Sequence, residues 1–181
     1  MSELRSNRIT DVAGTASPYI PGAVLQVQYT QYTSTNQQSM SANTDTTITE
    51  LSVNITPKST SSIIKLDAHI FHEWSGTNTT YESAWFFYRD STKLAAPAAG
   101  NRSTGISASA LSIEQIDAGS TPETVYYTYF DAPNTTSQIT YKVGVRNHHA
   151  STVHLNKTVT DNDTTQYERG ISFISATEIG G

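Results

Sequence analysis

The chain has 181 residues, no cysteine and only 15% charged residues, while 28 threonines and 22 serines make more than a quarter of it small hydroxyl side chains. A chain of this length sustains one self-sufficient core and leaves little for a second, and the lack of cysteine excludes disulfides and thiol chemistry. The net charge of -5, with eleven Lys and Arg scattered between Arg5 and Arg169, offers no basic stripe for a phosphate backbone, and no run approaches the roughly 18 apolar residues of a membrane span. Nucleic acid and membrane are therefore not expected partners.

Residues 1–20 (MSELRSNRITDVAGTASPYI) show neither alternation nor a helical stripe. They contain no apolar run of the kind that opens a secretion signal, so synthesis in the cytoplasm is the expectation. The segment reads as an extended arm whose spaced apolar residues Leu4, Ile9, Val12 and Tyr19 would lie on a foreign surface.

From residue 21 the period becomes two. Ala23 to Thr33 places Leu25, Val27 and Tyr29 on one side, and these are the expected inward residues of a half-buried strand. Ser34 to Asp45 (STNQQSMSANTD) is hydrophilic and aperiodic and reads as a surface loop. Thr46 to Thr56 alternates again through Leu51, Val53 and Ile55, and Pro57, which has no N–H for a ladder, ends it. Ser62 to Trp74 is the clearest amphipathic strand, with Ile64, Leu66, Ala68 and Ile70 on one face, and should be central. Tyr81 to Arg89 carries aromatic side chains on both faces, more than one wet sheet surface uses, which points to a neighbouring subunit at Trp85 and Phe87.

Ala95 to Ser109 reads as a long loop holding at most a short strand, and Ala110 to Ile116 as a strand. Glu123 to Phe130 supplies further interface candidates in Tyr127 and Tyr129; Ser137 to Asn147 points Ile139, Tyr141, Val143 and Val145 inward; Ser151 to Lys157 and Arg169 to Ile179 complete the set. About eight strands with turn-rich connections and almost no helical pattern predict an all-β, jelly-roll-like β-sandwich over 21–181, preceded by the arm 1–20.

Catalytic chemistry finds no foothold. There is no G-x-S-x-G elbow, phosphate loop or H-E-x-x-H, and none of the sixteen acids forms a pair that the sequence singles out for glycoside hydrolysis. His69 and Glu73 share a strand face from which His72 points away, so they make no common metal site. His148, His149 and His154 read as members of polar turns, with the gathering of one histidine from each of three copies around an axial ion as the alternative. The expectation is a chain without enzymatic activity, cofactor or metal.

Five segments, in this order and spacing, resemble small structural proteins of tailed bacteriophages, especially those of marine and cyanobacterial viruses: LRSNRITDVAGT (Leu4 to Thr15), PGAVLQV (Pro21 to Val27), ITPKSTSS (Ile55 to Ser62), DAPNTTSQITYKV (Asp131 to Val143) and the terminal RGISFISATEI. The resemblance implies a homotrimeric knob, similar in outline to tumour-necrosis-factor-like jelly rolls, fastened by its arm to a major capsid protein or another virion protein. Long fibres of this kind interpose a repetitive shaft; here the arm runs directly into the first strand. That departure favours a compact capsid decoration or cement protein, with a short tail fibre or glycan-binding receptor protein as the alternative.

Overall fold

Alternating β-branched and aromatic residues, cut by Pro and Gly at turns, are built to pair edge to edge and bury every second side chain. The computed structural model describes residues 21–75, 82–108 and 119–181, and within them the chain forms eleven strands and no helix. In chain order they are β1 (Val24–Tyr32), β2 (Asn36–Met40), β3 (Thr46–Ile55), β4 (Ile63–Ser75), β5 (Ser83–Arg89), β6 (Thr92–Leu94), β7 (Ser107–Ala108), β8 (Glu123–Asp131), β9 (Ile139–Asn147), β10 (Ser151–Leu155) and β11 (Ser172–Ile179). The expected arm with Leu4, Ile9, Val12 and Tyr19, together with Tyr81 and the strand read at Ala110 to Ile116, lies outside the described residues.

Two antiparallel sheets face one another. The first runs β1-β11-β4-β10-β2, with β8 on the other edge of β4; the second runs β3-β9-β5-β6, with β7 also on β5. β4 is thirteen residues long and organises the first sheet. One of its edges takes β11 along Ile63 to His69 and then β10 along His72 to Ser75, while its other edge takes β8 from Ile64 to His72. Serving three partners with one strand lets this sheet curl, and it makes β4 central, as its alternation predicts.

Between the sheets lie Ile64, Leu66, Ala68 and Ile70 of β4 and Ile139, Tyr141, Val143 and Val145 of β9, all buried. Each such aliphatic side chain taken from water contributes about 1.5–3 kcal/mol. In β3 the ladder with β9 skips from Thr47 to Ser52. This irregularity changes the parity of the strand, so Ile48 and the odd-numbered Leu51, Val53 and Ile55 all point inward. The buried tyrosines keep their hydroxyls satisfied: Tyr127 donates to the Phe86 carbonyl at 2.9 Å across the sandwich, and Tyr141 to Asp131 at 2.7 Å.

Three elements depart from the sequence reading. The presumed loop Ser34 to Asp45 contains β2, which pairs with β10 from Asn36 to Met40; an edge strand needs only backbone pairing, so its NQQSM sequence shows little alternation. Strand β6, which the sequence reading did not include, follows β5 directly, while β7 is the short strand allowed within the loop Ala95 to Ser109; both pair with β5. In β1 the facing is reversed. Gln26 and Thr30 turn toward the second sheet, donating to the carbonyls of Thr56 and Ser52, and Val27 and Tyr29 face solvent.

Candidate interaction surface

Strand pairing fixes which side chains share the outer face of the first sheet. Reading across β1, β11, β4 and β8, three successive rows are Val27–Thr177–Lys65–Phe130, Tyr29–Ser175–Asp67–Thr128 and Gln31–Phe173–His69–Tyr126. Tyr29, Tyr126 and Phe130 are 69%, 58% and 59% exposed. With Val24, Val27 and Ile171 they are the large hydrophobic residues left exposed among the described residues, and all six lie on or beside this one sheet.

The centre of the face is polar and internally paired. Asp67 is only 8% exposed and accepts from Lys65 Nζ at 2.8 Å, the Thr128 hydroxyl at 2.6 Å and the Tyr126 hydroxyl at 3.1 Å. Burial pushes its carboxyl up, but those three donors, together with the charge of Lys65, outweigh burial and hold it below the ordinary carboxylate value. The hydrogen bond to Asp67 in turn raises Lys65. Next to this knot, His69 stacks on Phe173, with ring centres 5.7 Å apart and planes 9° from parallel, and its Nδ1 contacts the Ile171 carbonyl at 3.1 Å. Polar groups that would resist desolvation are thus already satisfied, and aromatic area surrounds them.

The sequence-derived interface candidates sit elsewhere. Trp85, Phe87 and Tyr127 are buried in the core of their own chain, and Tyr129 is partly buried against it. Their side chains are spent on the sandwich, and the exposed aromatic residues of β8 are those of opposite parity, Tyr126 and Phe130. A signal for this existed in ETVYYTYF: Val125, the one aliphatic residue of the segment, marks the inward parity shared by Tyr127 and Tyr129.

The histidines divide as the strand geometry requires. His72 is fully buried against Trp74 and Trp85, His69 lies on the outer face, and Glu73 is buried beneath flanking loops, accepting the N–H groups of Thr121 and Val159. His154 is buried on β10, apart from His148 and His149, which stand together after β9 and beside Glu82.

A depression of about 510 Å³ lies over the irregular part of β3, lined by Thr47, Ile48, Thr49, Asp90 and Lys142 among others. Its single carboxylate, Asp90, accepts the Thr140 N–H. A pair of carboxylates facing across a sugar is not assembled there.

The sequence matches none of the family models and none of the curated proteins with which it was compared.

Proposed function

We propose that this chain is a structural, non-enzymatic component of a bacteriophage virion: a homotrimeric jelly-roll knob docked by its N-terminal arm, serving as a capsid decoration or cement protein. The observation that carries the reading is the gathering, on or beside the first sheet, of the six large hydrophobics exposed among the described residues. Apolar area collected on one side, with its central carboxylate already paired, suits burial against identical copies.

The jelly-roll assignment is supported by the winding of the chain. It alternates between the sheets along β1, β3, β4 and β5, returns through β8 and β9, and closes on β11, with orders β1-β11-β4-β8 and β3-β9-β5-β6. The phage assignment is supported by the resemblance of the five segments described above. Leu4, Ile9 and Val12 would then each contribute about 1–3 kcal/mol on burial against the shell, and three arms per knob would raise retention through effective concentration.

Exposed Tyr29, Tyr126 and Phe130 also favour a second reading, a short tail-fibre or receptor-binding protein in which these rings stack on sugars. Imaging of particles carrying a labelled copy separates the two: label over the whole shell supports decoration, and label at the tail supports the second reading. Deletion of residues 1–20 is expected to leave a folded knob that no longer co-sediments with particles. Unchanged incorporation would contradict docking by the arm.

A further inference from the structure

We propose that Glu82, His148 and His149 form a binding site for a first-row transition-metal dication of the zinc type. Each residue offers one ligand atom, and the three atoms lie within 4.8 Å of one another. Zinc bonds of about 2 Å place donors roughly 3–4 Å apart around one ion, an adjustment within reach of side chains that are exposed or half-buried. Two imidazoles and one carboxylate suit zinc and its neighbours better than magnesium or calcium, which prefer oxygen ligands alone. Three protein donors leave a coordination position for water.

The local fold explains how adjacent histidines come to act together. On a strand, neighbours point to opposite faces, but β9 ends at Asn147 and the chain bends at His148 and His149, bringing the two rings to 4.8 Å between centres. The same bend carries the chain from the second sheet, through β9, to the first, through β10. Glu82 immediately precedes β5, and its carbonyl accepts the His148 N–H at 3.2 Å, so the turn is already seated beside the carboxylate. The Oε2 of Glu82 is buried and makes no aligned hydrogen bond, although it stands 2.7 Å from His149 Nε2. The carboxylate already stands against the His149 ring, and an ion entering between them needs only a small separation of the two atoms.

An outer support is also in place. Asn43, held at a φ of +53°, donates its backbone N–H to the Asn147 carbonyl at 2.8 Å and its side-chain N–H to the His148 carbonyl at 3.2 Å. Its Oδ1 can only accept, so the 3.2 Å contact with His148 Nδ1 requires that nitrogen to carry the proton and leaves Nε2 with the lone pair a metal takes. A hydrogen bond of this kind orients a metal-bound imidazole and selects its tautomer. The ion would clamp the sheet-to-sheet turn onto the start of β5.

The test is calorimetric titration of Zn²⁺ into the full chain, purified without a histidine tag and stripped with chelator, with thermal unfolding followed in parallel. One ion per chain and a rise in Tm are expected. His148→Ala and His149→Ala should each weaken binding at least tenfold, about 1.4 kcal/mol, and Glu82→Gln should weaken it as well. Asn43→Gly, which keeps the positive φ but removes the acceptor, should cost about tenfold. His69→Ala, on the outer face of the first sheet, should bind like the parent chain. Lack of saturable binding, one ion per three chains, or binding unchanged in the His148→Ala/His149→Ala variant would overturn the proposal.

Discussion

The two sheets finish their outer faces in opposite ways. On the second sheet Phe86 points outward from β5 yet is fully buried. It lies over Gly144, where a Cβ would come within 2.3 Å of its ring, and Lys93 Nζ covers it at 3.9 Å from the ring centre. Lys93 and Arg146 both pair with Asp45, at 3.0 and 3.3 Å. The chain therefore supplies its own glycine floor and charged lid for Phe86, with the half-buried Tyr88 ring packed edge-on beside it. Among the described residues, Tyr29, Tyr126 and Phe130 on the first sheet have no such lid. Exposed aromatic area is common singly and informative when gathered, and the contrast separates the two surfaces: the second sheet covers its Phe86 ring within the chain, while on the first the rings stay exposed, as the proposed assembly through that face requires.

The largest expected effect marks the boundary between core and contact surface. Trp85→Ala should destabilise the chain by about 3–5 kcal/mol, visible as a drop in the denaturation midpoint, because Trp85 is wholly interior. If Trp85 instead served a subunit contact, the loss would appear in association with folding stability preserved.

Next in size is a pH effect inside the sandwich. Burial pushes the His72 imidazole from 6.5 down to about 4, against backbone hydrogen bonds at Ile70 and Glu123 that act the other way. Glu123 Oε2 stands 3.8 Å from His72 Nε2, and the net shift is still downward. A depressed histidine is held neutral in the fold, so its contribution is complete above pH 6.5 and is lost progressively as pH falls toward 4, by about 3 kcal/mol in all. Urea midpoints measured across that window should fall with acidification, and His72→Gln should flatten the slope. The lowered carboxyls of Asp67 and Glu178 act in the same direction at still lower pH, since a depressed acid loses its stabilisation as it protonates.

A smaller and more selective effect is expected at the uncovered face. Tyr126→Asp and Phe130→Asp should each weaken self-association by about 2 kcal/mol or more, as central aromatic contacts do; chain stability should shift by no more than about 0.5 kcal/mol in Phe130→Asp, whereas Tyr126→Asp, which removes a donor to Asp67 and sets a second carboxylate beside it, should cost about 1.5–3 kcal/mol. Sedimentation velocity against concentration reads the first quantity and thermal melts of the dissociated chain the second. The smallest effect belongs to the opposite sheet. Lys93→Ala should cost about 1 kcal/mol or less of stability and leave the association constant unchanged.

The same contrast explains what the sequence revealed. The inward sets of β3, β4 and β9 were legible because alternating aliphatic residues have one way to leave water. β1 was not: its inward residues are polar, and the Gln26 amide donates to Thr56 and Glu178, which are distant in sequence. In β8, aromatic residues occupy both parities, so size alone could not separate Tyr127, spent on the core, from Tyr126, left outside. The pairing of Glu82 with His148 and His149 depends on β5 lying beside β9, a register that neither segment encodes by itself.

The central claim, that the outer face of the first sheet is where copies of this chain meet, is tested most directly by the light-scattering mass of the purified protein beside its Tyr126→Asp/Phe130→Asp variant. Three times the 19.7 kDa chain mass for the parent, collapsing to a single folded chain in the variant, is the predicted result. A parent that stays monomeric at micromolar concentration, or a trimer indifferent to the two substitutions, would contradict it.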